Sequence, residues 1–139
     1  MFQRILLTID TSEHSRKATA AAEQLARDSG GAVVVFHDRE KLVVHGGGES
    51  GMDIESPQEG QIADRVAEEF KQKGIHARAE TRSVWQGAIA GEIADVADVI
   101  DADVIVMGSR GLSDVRGMLV GSVMHKVLHL VHRPVLVVR

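Results

Sequence analysis

Short runs of consecutive apolar residues alternate along this chain with longer stretches in which apolar positions recur at helical spacing. Ile5-Leu6-Leu7-Thr8-Ile9 is the first short run and predicts a buried strand. Thr11 and Ser12 follow as N-caps, and Ala18, Ala21, Ala22 and Leu25 carry a helical face until Gly30-Gly31 stops it. Ala32 to Phe36 predicts the second strand. Ile62, Val66 and Phe70 share a helical face that ends at Lys73-Gly74. Ile75 to Val84 alternates more weakly, as a strand towards the edge of a sheet would. Ile89, Ile93, Ala97 and Ile100 mark a third helix, and Val104 to Met107 a fourth strand that is apolar on both faces. Ser122 to Val131 reads as the last helix and Pro134 to Val138 as the last strand.

Strands alternating with helices imply a parallel sheet covered on both sides, a doubly wound, Rossmann-like α/β fold. Right-handed crossovers set ligands at the carboxyl ends of the strands, beside a topological switch point. Residues 1–139 read as one domain, without an internal repeat. Asp38 to Gly60 breaks the pattern. It holds Gly46-Gly47-Gly48, Gly51 and Pro57 and is expected to be a long loop on the ligand side, either functional or a bare surface insertion.

Composition narrows the function classes. The chain is 44% apolar and 26% charged, ordinary for a globular domain. Trp85, three Phe and no Tyr leave no stacking platform for single-stranded nucleic acid. A net charge of −4 argues against a broad nucleic-acid surface and against membrane adhesion. With no cysteine, disulfides, thiolate metal sites and Cys nucleophiles are excluded. No signal peptide or membrane span is visible, so the cytoplasm is the expected compartment.

The strongest chemical signal is a glycine constellation. Gly108-Ser109-Arg110-Gly111 closes the fourth strand, and Gly121-Ser122 opens the last helix, giving the spacing G-x2-G-x9-G-S. A glycine-rich turn lets backbone N–H groups approach an anion, and a helix N-terminus adds unpaired N–H groups and the positive end of its dipole. Ser109 and Ser122 can donate hydroxyl hydrogen bonds to phosphate oxygens, and Arg110 or Arg116 can add charge. Each glycine taken alone is as well explained by a turn or a strand end. Asp10, after the first strand, can accept from ribose hydroxyls or help hold a metal near phosphates, or it can merely assist capping of the first helix.

Other chemistries find less support. His125, His129 and His132 fall on one stripe of the last helix at about 100° per residue. Lys126 stands where a zinc-protease motif needs Glu. Val123, Val127, Leu130 and Val131 take the opposite side, so the stripe is expected to face solvent, and no metal site is assigned. His14, His37, His45 and His76 have no ligand-like spacing. There is no G-x4-G-K-[ST] and no G-x-S-x-G, so neither a P-loop enzyme nor a nucleophile elbow is present.

On these residues the chain resembles the universal stress protein family over nearly its whole length. The resemblance rests on Ile5 to Ser12, Asp103 to Gly111, Gly121-Ser122-Val123 and Arg133 to Arg139. The glycine spacing resembles the mark of the family's ATP-binding branch. The resemblance implies that Gly108, Arg110, Gly111, Gly121, Ser122 and Val123 surround the triphosphate and ribose, with Asp10 near the ribose and Ile9 and Met107 near the base. Two positions depart from the family pattern. Asp10-Thr11-Ser12 replaces Asp-Gly-Ser, and His37-Asp38 replaces His-Val, which sets a carboxylate, Asp38, where an apolar contact to adenine is usual.

The expected function is that of a regulatory nucleotide-binding domain. ATP, with Mg2+ as the ion that could accompany it, would act as a conformational ligand. The rivals are a dimeric interaction scaffold that binds no nucleotide, and a slow ATPase. In the expected sheet order, 3-2-1-4-5, the apolar last strand lies at an edge and would pair with its copy in a homodimer, as the resemblance also implies. The identity of any protein partner cannot be read from the sequence.

Overall fold

Strand β1 (Arg4–Thr8) runs between β2 (Ala32–Val43) and β5 (Val104–Gly108), parallel to both. The computed structural model describes residues 1–10, 12–43, 51–53, 59–85, 87–109 and 122–139, without the side chains of 40–43, 51–53, 59 and 122. Strand β4 (Ala77–Trp85) extends the sheet beyond β2, and β6 (Val135–Val138) extends it beyond β5, again in parallel. Taken in chain order, the five parallel strands therefore stand 3-2-1-4-5, as expected. A short strand β3 (Gly51–Asp53) adds an antiparallel pairing with Lys41 to Val43.

Helices cover both faces, which is why the inner strands are apolar on both. Ile5, Leu7, Ile9, Val33, Val35, Val104 and Val106 pack beneath α1 (Glu13–Ser29) and α2 (Ile62–Gln72). Leu6, Phe36, Ile105 and Met107 pack beneath α3 (Ile89–Val99) and α4 (Ser122–Leu130). Helix α1 presents Ala18, Ala22 and Ala26 to the sheet, a stripe of small side chains that lets it lie close. Ser12 caps its start, the Ser15 N–H donating to the Ser12 hydroxyl at 3.2 Å. Gly30 ends it at φ 69°, a left-handed conformation that a side chain would strain.

Strand β2 is longer than its apolar run. It continues from Phe36 through Val43, so the expected loop does not begin at Asp38. The continuation is held by backbone pairing, His37 to Lys41 standing opposite Thr81 to Trp85 of β4. A parallel ladder of that length satisfies the peptide groups whatever the polarity of the side chains. Lys41 pairs with both Trp85 and Asp53, so β4 and β3 occupy opposite edges of β2. Strand β3 therefore lies on the β1 side, beyond the carboxyl end of β1. The rest of the segment after Val43, apart from Gly51–Asp53 and the single helical turn at Glu59–Gln61, falls outside the described residues up to Gly60.

The last helix follows its expected pattern with one correction. His125, His129 and His132 are exposed, and Met124 and Val127 are buried against α3. Leu130, however, is 53% exposed rather than packed with Val127. It is the final residue of the nine-residue helix and lines the groove between α3 and α4, while Val131, the next residue, packs against the core. Among the described residues no helix is long and apolar enough to cross a membrane.

Candidate nucleotide site

The chain leaves β1 for a helix on one face and leaves β5 towards a helix on the other. The connections therefore part between these two neighbours, and a crevice opens at their carboxyl ends. Ile9 and Asp10 stand at the end of β1, Gly108 and Ser109 at the end of β5, and the first turn of α1 between them.

Asp10 is fixed by the start of α1. Its Oδ1 accepts the Ser12 N–H at 2.7 Å, and its own N–H donates to the Ser15 hydroxyl at 2.9 Å. The capping role is thus present. A carboxylate offers about four lone-pair sites, and this bond engages one. Ile9 continues the β1–β2 pairing, its N–H donating to the Phe36 carbonyl at 2.9 Å. Its carbonyl lies 3.0 Å from Nδ1 of His37, a residue only 1% exposed. A carbonyl can only accept, so Nδ1 carries the proton. This buried histidine holds the end of β1 in place, a role that its sequence spacing did not signal.

Gly108 has a specific neighbour. A Cβ at this position would stand 2.9 Å from the carbonyl carbon of His14 and 3.0 Å from its Cβ. Glycine is required here by the packing of α1 against β5, whatever else the position does. Ser109 is buried and donates its N–H to the Val138 carbonyl at 2.8 Å, so that N–H belongs to the β5–β6 pairing. Its hydroxyl lies 3.4 Å from Nδ1 of His14. His14, two residues past the N-cap, thereby joins the site. Only its place in the first turn of α1 could have suggested this, because it meets Gly108 and Ser109 across the fold.

Other expected residues are placed differently. Ile9 and Met107 are each 4% exposed and pack in opposite layers, Ile9 with α1 and α2, Met107 with α3 and α4. What they present to the crevice is chiefly backbone. Asp38 lies half-buried in β2 opposite Arg82, two residues past Phe36, the last residue paired with β1. Ser122 opens α4, and Val123 packs partly buried on the α3 side, leaving the backbone of the first turn of α4 as its polar feature. Arg110, Gly111 and Gly121, with Arg116, lie outside the described residues.

The described groups are hydrogen-bond donors and acceptors around a crevice. Ser109 and His14, at 3.4 Å, are further apart than a well-formed hydrogen bond, and among the described contacts nothing orients His14 as a base.

Comparison with known proteins decides the family. The model of the universal stress protein family matches residues 1–139. The chain belongs to the universal stress protein family. It is 33% identical over 151 residues to the universal stress protein YxiE of Bacillus subtilis, with all of both chains covered. Solved universal stress proteins share its fold. One from Archaeoglobus fulgidus, in complex with dAMP, superposes with a TM-score of 0.69 at 21% identity, covering 100% of this chain and 98% of that one. Another universal stress protein, in complex with cAMP, gives a TM-score of 0.68 at 25% identity, covering 99% and 97%.

Proposed function

We propose that this universal stress protein domain, residues 1–139, binds ATP at the carboxyl ends of β1 and β5 and uses the nucleotide as a conformational switch ligand. The observation that carries the reading is the position of the two ends of the glycine motif. Gly108 closes β5 beside the first turn of α1, and Ser122 opens α4. The motif thus starts at the switch point and finishes at a helix N-terminus, the two places where an α/β fold receives phosphates. Its inner residues, Arg110, Gly111 and Gly121, join the reading on sequence spacing alone. The complexes of two family members with adenine nucleotides, dAMP and cAMP, support the same ligand class.

In this reading Asp10 serves twice. One oxygen holds the start of α1, and the carboxylate's remaining acceptor capacity meets ribose hydroxyls or a Mg2+ ion that accompanies the phosphates. The donor set fits a hard cation only through this oxygen, with water and phosphate supplying the rest. Asp38, on the neighbouring strand, would accept from the adenine amino group. Val123 contributes its backbone at the start of α4. A switch requires that ATP favour one arrangement of its surroundings over another. The segment after β2 and the segment between Gly111 and Gly121 are the elements we assign to that change. The test is the nucleotide retained on purification. ATP supports the switch, ADP or AMP indicates turnover, and no nucleotide indicates a scaffold.

We further propose that two copies pair through β6. This strand pairs with β5 on one side. The Ile105 N–H donates to the Pro134 carbonyl and the Ser109 N–H to the Val138 carbonyl. Peptide groups alternate sides along a strand, so Leu136 also faces β5, while Val135 and Val137 direct theirs to the outer edge. Leu136, with a side chain 42% exposed, and the outward edges of Val135 and Val137 favour antiparallel pairing about a two-fold axis.

A further inference from the structure

Helical spacing puts His125 and His129 on one stripe of α4, and the structure adds how close their rings come. The two Nε2 atoms are 3.2 Å apart, with ring centroids separated by 4.7 Å and planes at 81°. Both residues are exposed. With one ring's proton on Nε2 this gap is a hydrogen bond; with both protons on Nδ1 two Nε2 lone pairs meet across it, and a shared proton or a cation relieves the repulsion. For two nitrogens each bound to one metal at about 2.0–2.1 Å, a 3.2 Å separation corresponds to a nitrogen–metal–nitrogen angle of about 100°. That lies between the octahedral and tetrahedral values, so the spacing of the pair suits a chelate.

The surroundings fit a cation of modest affinity. His129 borders a groove between α3 and α4 that is also lined by Glu92, Asp95 and Lys126. Glu92 is engaged by Arg82 at 3.0 Å, which leaves Asp95 as the nearby exposed carboxylate and Lys126 as an opposing charge. Among the described residues no group of three or more His, Cys, Asp or Glu gathers around one point. Two imidazoles would therefore supply the protein's share of the coordination, and water the rest. Imidazole nitrogen selects late first-row divalent ions over Mg2+ or Ca2+, with Cu2+ favoured over Ni2+ and Zn2+.

We propose that His125 and His129 form a two-histidine chelate for a divalent late transition-metal ion, on the exposed side of α4 and apart from the crevice at β1 and β5. A bound ion cross-links successive turns of α4. It stabilises the folded chain in proportion to its occupancy, because the pair is preset only in the helix.

The experiment is calorimetric titration of the whole protein with NiCl2, and separately with MgCl2, in a buffer that does not bind metals. The variants are His125→Ala, His129→Ala and, as a control, His132→Ala. All three positions are exposed, and circular dichroism checks the fold of each variant. Wild type and His132→Ala are expected to bind Ni2+ equally and to ignore Mg2+. His125→Ala and His129→Ala should each weaken Ni2+ binding by at least about tenfold, because a chelate that loses one arm reverts to a single imidazole. Equal Ni2+ affinity in wild type and the two chelate variants would overturn the proposal. So would a loss in His132→Ala as large as theirs.

Discussion

Gly108 and His14 are in backbone contact: a Cβ on Gly108 would come within 3.0 Å of the His14 carbonyl oxygen as well as its carbonyl carbon. The first glycine of the G-x2-G-x9-G-S motif is therefore also the point where α1 rests on β5. Gly108→Ala should destabilise the protein by about 1–3 kcal/mol, the usual cost of overpacking a fixed backbone contact. Urea unfolding without nucleotide measures it. An unchanged midpoint would mean that α1 shifts freely and that the contact sets no constraint.

At the amino ends of the same two strands, Asp103 ties β1 to β5. Its carboxyl is held below the ordinary carboxylate value, first by the Arg4 backbone N–H at 2.8 Å, then by the Arg4 guanidinium, with the Gln3 N–H at 2.9 Å adding to the effect. A carboxyl lowered on folding adds stability that is complete above its unfolded value, here 3.8, and is lost as the pH falls through the folded value. Asp103→Asn should therefore be less stable than wild type by a constant margin above about pH 5. The margin should shrink in acid below the ordinary carboxyl value. Denaturant unfolding across this range is the measurement, and a margin that persists unchanged in acid would contradict the assignment.

The two roles of Asp10 separate by substitution. Asp10→Asn keeps an oxygen for the Ser12 N–H and removes the charge; Asp10→Ala removes both. The Asn variant should unfold near the wild-type midpoint yet bind ATP more weakly, with part of the loss dependent on Mg2+. The Ala variant should in addition lose about 1 kcal/mol of stability, the typical worth of one such hydrogen bond. Equal ATP affinity in wild type and Asp10→Asn, with and without Mg2+, would confine Asp10 to the turn.

For the proposed dimer, the sheet geometry selects the informative proline. Leu136 faces β5, so Leu136→Pro should damage the fold itself. Val137 directs its N–H to the outer edge, so Val137→Pro should leave the β5–β6 ladder in place and shift a dimer towards monomer. Sedimentation at micromolar concentration, with circular dichroism to check folding, distinguishes the two. A wild-type protein that sediments as a monomer would refute pairing through β6.

The parts of this structure that were legible in the sequence are those governed by burial. Ile5 to Ile9 and Val104 to Met107 are apolar on both faces because helices cover both, and that pattern alone places them at the sheet's centre. The extension of β2 through Asp38 to Lys41 was not legible. Those residues are polar, and their strand is held by main-chain pairing to β4, which leaves no hydrophobic trace. The glycine motif was legible as a motif, but the reason for Gly108 was not, because His14 meets it from the far end of the chain. The pairing of the Ser109 N–H with the Val138 carbonyl was not legible either, because it joins two strands distant in sequence. The depths of Ile9 and Met107 depend on which layer each faces, a matter of register that the family resemblance does not carry.

The central claim is that this chain binds ATP through the glycine motif, and calorimetric titration of the nucleotide-free protein with ATP tests it most directly. Wild type should show saturable binding, and Gly121→Val, folded as judged by circular dichroism, should bind at least about tenfold more weakly, a loss of roughly 1.4 kcal/mol. An absence of binding in wild type, or equal affinity in the two proteins, would contradict the account.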